Sequence, residues 1–214
     1  MNETVTMTTG EQPFEHAERI EPAPRLWASI REDLQAHGGD WTKPGFRAVA
    51  VHRFGQWRMN IRPKLLRAPF SILYRMLYRR CRNVYGVELP YTVRLGRRVV
   101  FEHQGGIVIH GQTQIGDGSI IRQGVTIGIK SLDDLAAAPR LGRDVNVGAG
   151  AVILGDVTIG DGAWIGANAV VLKDVPAGAT AVGVPAQIVS AKSMDDKNSE
   201  GELADAKRDG APPA

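Results

Sequence analysis

From Leu89 onward, large apolar residues recur at every sixth position. The comb runs Leu89, Leu95, Phe101, then Ile109, Ile115, Ile121, Ile127, then Leu141, Val147, Ile153, Ile159, Ile165, Val171. Four places after many of these stands a small or β-branched residue (Ser119, Val125, Val145, Ala151, Val157, Ala163, Ala169), and a glycine often follows the apolar residue directly. Hexapeptide recurrence of this kind is the signature of a parallel β-helix. Three hexads make one triangular coil, with the apolar and small residues inward and the glycine-bearing corner turning the chain. Stacked coils then bury a narrow core that no coil could bury alone.

The comb slips twice. Between Phe101 and Ile109 there are eight residues rather than six, so two extra residues are extruded within FEHQGGIVIHG, residues 101–111. Between Ile127 and Leu141 there are fourteen, so IGIKSLDDLAAAPR carries an eight-residue excursion. Insertions in repeat folds map to loops on one face, where function concentrates.

Ahead of the comb the period is helical. LWASIREDLQAH sets Leu26, Ile30 and Leu34 four apart on one face, and HGGD ends that helix. Pro44-Gly45 opens the next, FRAVAVHRFGQWRM. Pro63 and Pro69 bracket the start of a third, FSILYRMLYRRCRN, with Phe70, Leu73, Leu77 and Cys81 in one stripe and Arg75, Arg79, Arg80 and Arg82 on its flanks. Residues 1–24 and 191–214 are polar and aperiodic and read as disordered tails. The expected fold is mainly β with α, a helical region at 25–86 preceding a β-helix at 87–190 that carries a loop at 129–140.

Composition fits this outline. Glycine is abundant at 25 residues and aromatics are scarce at 6%, as tight corners around a core of small aliphatics require. The lone cysteine, Cys81, excludes an internal disulfide framework and suits a reducing compartment. The first 25 residues lack the apolar core of a signal peptide, and no run of 18 apolar residues exists, so the expectation is a soluble cytoplasmic protein. The net charge of +3 conceals an asymmetry: Lys43 to Arg98 holds fourteen Lys/Arg and one acid, Glu88, while the rest holds 12 basic and 22 acidic residues. Such a segment is either a solvated helix face or a contact for an acidic ligand, an anionic membrane surface or nucleic acid.

Together, the helical start, the histidine-bearing glycine bulge, the long loop one coil later and the AVGVPAQIV terminus resemble the serine O-acetyltransferase family. The likeness runs from about Leu26 to Val189. PGFRAVAVHRFGQW resembles the family's helical segment, FEHQGGIVIHG resembles its LDHATGIVVGE stretch, and the spacing from His103 to Pro139 and on to Gly183–Ala186 fits without gaps. The resemblance implies a left-handed coil, an exception to the right-handed crossover rule. It also implies acetyl-CoA as a co-substrate, with no permanently bound cofactor, and a homotrimer with active sites between neighbouring subunits.

Acetyl transfer to an alcohol needs a base for the hydroxyl proton and donors for the oxyanion formed on the thioester carbonyl. Imidazole suits the first task near neutral pH. His103 matches the family's catalytic histidine, and Glu88 matches the aspartate that orients it, one methylene longer here. Glu102 matches a second aspartate that contacts the acceptor. Asp40 matches a helical-region aspartate that reaches the acceptor, although a helix cap would also favour that residue. For the cofactor arm the resemblance marks Gly148, Ala149, Gly166 and Ala167, glycines and alanines that coil corners also require, with Lys173 placed to meet a phosphate. His110 reads as a corner residue. A zinc site of the kind found in carbonic anhydrases of this fold needs three histidines, and the coils hold two, so no metal is expected.

One departure bears on the acceptor. The family carries Asp-Arg-His before the loop proline, where the Arg and His help hold the amino acid's carboxylate; here those positions are Ala136, Ala137 and Ala138. Losing charge-assisted bonds costs roughly 1.5–3 kcal/mol each. Arg140 or Lys130 could supply a replacement. Two acceptors follow: L-serine, or a sugar hydroxyl as in the related surface-polysaccharide acetyltransferases, which the missing clamp favours. In the second case the basic segment would meet the anionic membrane surface where lipid-linked glycans are assembled, with no nucleic acid partner. A non-catalytic β-helix scaffold is a third reading, against which stand His103, Glu88 and the two loops.

Overall fold

A computed structural model describes residues 26–131 and 137–191. Strands, numbered in chain order, stack on three faces. The first face holds β1 (Val87–Glu88), β4 (Ile107–Ile109), β7 (Thr126–Gly128), β10 (Val152–Leu154) and β13 (Val170–Val171). The second holds β2 (Arg94–Leu95), β5 (Gln114–Ile115), β8 (Arg140–Leu141) and β11 (Thr158–Ile159). The third holds β3 (Val100–Phe101), β6 (Ile120–Ile121), β9 (Asn146–Val147), β12 (Trp164–Ile165) and β14 (Ala179–Val182). Pairing along each face is parallel, as in Ile109↔Ile127↔Ile153↔Val171, until β15 (Gln187–Ala191) folds back antiparallel on β14. This is the parallel β-helix that the hexads imply.

The inward positions are those the comb marks. Ile109, Ile115, Ile121, Ile127, Ile153 and Ile159 are buried, and so are Val125, Val145, Ala151, Val157, Ala163 and Ala169. The two inward positions of each hexad lie at the level of their counterparts above and below, so each coil completes the burial of its neighbours. The expected tails fall outside the described residues, except that Ala191 ends β15.

The helical region comprises α1 (Leu26–Ala36), α2 (Pro44–Trp57) and α3 (Lys64–Arg80). A π-helical turn, Cys81–Tyr85, extends α3, and Gly86 terminates it at φ 64°, a left-handed conformation that costs glycine nothing. In α1 the buried stripe is not the expected Leu26, Ile30 and Leu34, which are only partly covered, but Ser29 and Asp33, continued by His37 just past its end. The reason is a buried ion pair. Arg53 Nε of α2 donates to Asp33 Oδ2 at 2.9 Å, while its other nitrogens donate to the carbonyls of Leu95 at 2.8 Å and Gly96 at 2.5 Å. One guanidinium thus ties α1 and α2 to the first coil. Either charge alone would cost several kcal/mol in this interior. Beside it His52, fully buried, donates Nε2–H to the Val93 carbonyl at 3.0 Å; burial and the Arg53 charge hold its pKa down at about 3, so the ring is neutral.

The third helix departs further from expectation. It begins at Lys64, six residues before Phe70, with Pro63 as its N-cap and Pro69 inside it. Pro69 is exposed, so water can satisfy the carbonyl its missing N–H leaves free. Phe70 and Leu73 do not join a buried stripe. Cys81 is buried as expected, but Tyr74 joins it in their place, because Tyr74 packs edge-on against Tyr91 of the first coil at 5.5 Å and accepts a hydrogen bond from its backbone N–H. Among the described residues no helix is long and apolar enough to cross a membrane.

Candidate active site

The edge where the third face turns into the first carries the first break in the comb. On later coils this corner is three residues, Arg122–Gly124, Gly148–Gly150 and Gly166–Asn168, and on the first it is five, Glu102–Gly106. The corners stack in register. Gly124 N–H donates to the Gly105 carbonyl at 2.8 Å, Gly150 N–H to Gln123 at 2.9 Å, and Asn168 N–H to Ala149 at 2.8 Å. The surplus therefore loops outward at His103 and Gln104, both exposed, while Gly105 keeps the ladder intact. His103 adopts φ 61°, a left-handed conformation that costs a non-glycine residue about 1 kcal/mol.

Two glycines of the helical region hold this bulge. A Cβ on Gly45 would lie 1.9 Å from the Phe101 carbonyl, so the start of α2 presses on the residue before the bulge. A Cβ on Gly86 would lie 3.1 Å from Gly105 Cα, so the end of the π turn presses on the bulge from the other side. A third anchor is His37. Its Nδ1–H donates to the Asp33 carbonyl at 2.7 Å and its Nε2 accepts from Phe101 N–H at 3.3 Å, which fixes the neutral tautomer. Burial pushes the His37 pKa down, against smaller opposing contributions from Asp33 and Glu102 and with Lys43 reinforcing it.

The two carboxylates occupy separate settings. Glu88 sits on the first face, level with Val108, where its Oε1 accepts a hydrogen bond from Tyr78 Oη at 3.3 Å. Burial, then the Glu88 charge, push the Tyr78 pKa well up, so the phenol stays a donor. Tyr78 was not legible as a site residue, since a tyrosine on a helix flank carries no spacing signal. Glu102 pairs with Arg122 of the next coil at 3.2 Å, and Arg122 in turn donates to the Asn146 side chain. Among the described residues His103 makes no side-chain hydrogen bond, and Glu88 is not joined to it in this single chain.

The remaining candidates divide by edge. Gly148, Ala149, Gly166 and Ala167 lie on the His103 edge. The glycines answer to stacking, since a Cβ on Gly148 would lie 2.6 Å from Ala167 N, whereas Ala149 and Ala167 present their methyls along the edge. Lys173 lies across the first face, on the edge shared with His110 and with the 129–140 loop. His110 Nδ1 accepts from Gln112 N–H at 3.4 Å, a corner contact. Of the clamp positions, Ala138 is buried, Ala137 partly so, and Ala136 lies outside the described residues. Arg140 points out from the second face and pairs with Asp156 at 2.6 Å, so within one chain it does not join His103. Asp40 Oδ1 accepts from Thr42 N–H at 2.8 Å and from its hydroxyl at 2.5 Å, a turn ahead of α2; those bonds lower its pKa.

Comparison with known proteins places this architecture. The bacterial transferase hexapeptide (six repeats) family matches residues 138–173. A serine acetyltransferase of Synechococcus elongatus is 37% identical over 146 residues, covering 68% of this chain and 57% of that protein. The chain thus spans under three fifths of the length of this relative. A putative colanic acid biosynthesis acetyltransferase of Escherichia coli, WcaB, is 36% identical over 162 residues, covering 73% of this chain and 96% of that protein. Among solved structures, soybean serine acetyltransferase superposes with a TM-score of 0.66 at 34% identity, covering 78% of this chain and 70% of that one. A serine acetyltransferase of Brucella abortus in complex with coenzyme A gives 0.65 at 29% identity, covering 77% and 68%.

The His37 anchor makes a pH prediction. Its folded pKa lies below the ordinary 6.5, so its contribution is complete above pH 6.5 and declines as pH falls below that value. Unfolding free energy measured from pH 8 to 5 should fall in the wild type and fall less steeply in His37→Gln. Equal slopes in the two proteins would remove the anchor.

Proposed function

The chain belongs to the serine acetyltransferase family of hexapeptide-repeat transferases, and from that premise we propose that it is an acetyl-CoA-dependent O-acetyltransferase acting on a hydroxyl. The observation that carries this reading is His103, held exposed and left-handed on a bulge that interrupts an otherwise regular edge. As general base, His103 takes the acceptor's hydroxyl proton while the oxygen attacks the thioester carbonyl; the carbonyl–sulfur bond then breaks and the proton leaves on the CoA thiol. Glu88, steadied by Tyr78, orients the imidazole once the subunits assemble, and Glu102, steadied by Arg122, faces the acceptor. Ala149 and Ala167 leave the edge low enough for the pantetheine arm, with Gly148 and Gly166 behind them and Lys173 toward a phosphate. Coenzyme A in the Brucella abortus relative supports this donor.

A homotrimer with sites between subunits fits the outward positions of the coils. The faces that meet at the His103 edge carry Val108, Val152 and Val170 beside Glu88 and Thr126 on one side, and Val100, Ile120 and Trp164 beside Asn146 and Thr180 on the other. The second face carries Arg94, Gln114, Arg140 and Thr158. Apolar surface flanking the edge suits a subunit boundary, and the polar face suits solvent.

The acceptor is a sugar hydroxyl in this reading, with L-serine as the alternative that the family's name suggests. Ala137 and Ala138 offer no charge to an amino acid's carboxylate, and a putative colanic acid biosynthesis acetyltransferase is among the relatives, matched over 96% of its length. His103→Ala should lower thiol release from acetyl-CoA by roughly 10²–10⁴-fold. Undiminished turnover would eliminate His103 as the base, and saturable turnover with sub-millimolar serine would eliminate the sugar.

The basic segment 43–98 has a role in the same reading: peripheral contact with the cytoplasmic face of a membrane. Leu65, Leu66, Ile72, Leu73 and Met76 of α3 are 86%, 62%, 60%, 45% and 63% exposed and share an arc of about 120° on the helix. Lys64, Arg75 and Arg79 border that arc, and no acid occurs from Lys43 to Val87. An apolar arc edged with cations suits an anionic lipid surface and disfavours pairing with a second copy of itself. Co-sedimentation with phosphatidylglycerol vesicles, absent with phosphatidylcholine, should disappear in a Leu65→Ser, Ile72→Ser, Met76→Ser variant. Unchanged sedimentation would exclude the contact, as would a variant that changes only the oligomeric state.

A further inference from the structure

Between α2 and the end of α3 lies a cavity of about 290 Å³ floored by Ala50, Val51, Leu77 and Cys81 and rimmed by Trp41, Arg47, Arg80 and Tyr85. Two guanidinium groups converge on one phenol there. Arg47 Nη1 donates to Tyr85 Oη at 2.8 Å, and the Cζ atoms of Arg47 and Arg80 each lie 6.0 Å from the centre of the Tyr85 ring. Arg47 also donates from Nε to the Trp41 carbonyl at 3.2 Å and lies 5.2 Å over the Trp41 ring. Among the described residues neither arginine forms an ion pair with a carboxylate. Asp40, on the adjoining loop, is bonded to Thr42 and feels Arg47 only weakly.

Two like charges gathered on a neutral hydroxyl above an apolar floor are electrostatically unfavourable until an anion joins them, and the planar fork of arginine suits a carboxylate or phosphate. The cavity also borders the bulge. Its Phe46 and Arg47 directly follow Gly45, which presses on the Phe101 carbonyl, and its Tyr85 directly precedes Gly86, which presses on Gly105. Chain neighbours of its lining residues thus touch the segment that carries His103 on both sides.

We propose that this cavity is the anion-binding half of the acceptor site, taking an acidic sugar whose carboxylate or phosphate bridges Arg47 and Arg80 while its ring lies over Trp41. This rests on the O-acetyltransferase reading and deepens it. The charge that the loop lost at Ala137 and Ala138 is supplied instead from the helical side, for an acceptor whose acid group stands on a ring.

Calorimetric titration of the full chain with glucuronate, glucose 1-phosphate and glucose tests it, since binding is read without turnover. One or both acidic sugars should bind about tenfold or more tightly than glucose, with an advantage that shrinks at high salt and disappears in Arg47→Gln and in Arg80→Gln. Arg80 is exposed, so its variant leaves the fold intact. No preference for either acidic sugar, or a preference that survives both substitutions, would overturn the subsite. Arg80→Gln weakening vesicle binding without changing either acidic-sugar titration would overturn it too, assigning Arg80 to lipid. Retained arginine-dependent binding without acetyl transfer would uphold the subsite while the enzymatic reading failed.

Discussion

No coil of this protein can bury its own side chains, and the rest of the structure follows from that constraint. A hexad offers one large and one small inward residue, and both are covered only when the coils above and below repeat them at the same height. The six-residue period is therefore a condition on every inward position from Leu89 to Val171. Residues may be added only where the chain faces outward, at an edge. The first coil lacks a coil beneath it on the helical side, and there α2 and α3 take over as the cap, joined to it through the bonds from Arg53 to the Leu95 and Gly96 carbonyls and the Tyr74–Tyr91 contact.

This constraint explains where the candidate chemistry lies. The two-residue surplus at 102–106 is pressed from both sides by Gly45 and Gly86 and tied by His37, all of the helical region. The cap that completes the core thus also shapes the bulge that exposes His103. The same elements enclose the arginine cavity, so stability, base and the proposed acceptor subsite share one junction. Glu88 belongs to the strand that starts the first coil, and Tyr78, on the helix above it, steadies it.

The coils were legible in the sequence because their signal is a six-residue step repeated ten times, and the two deviations in such a series are conspicuous. His103, Glu88 and Glu102 could be singled out on that basis together with the family resemblance. The helical region was less legible. Its most buried stripe is Ser29 and Asp33 of α1 with His37 just past its end, and a hydrophobic pattern cannot reveal a polar stripe whose burial depends on a partner 20 residues away in α2. Pro69 misplaced the start of α3 because a proline signals a break, whereas an exposed helical side tolerates it. Tyr78, Arg122 and the Arg47–Arg80 pair were invisible for a related reason: each acquires its role from a residue brought near only by folding.

We propose that two extra residues, and not the histidine alone, create the site. Deleting Gln104 and Gly105 shortens the spacing from Phe101 to Ile109 from eight residues to six, while His103 remains in the chain. Acetyl-CoA turnover by this deletion variant, measured beside its unfolding transition, is the most direct test. The account predicts a cooperative unfolding transition close to that of the wild type and loss of turnover comparable to that of His103→Ala. A folded deletion variant that turned over acetyl-CoA at the wild-type rate would contradict it.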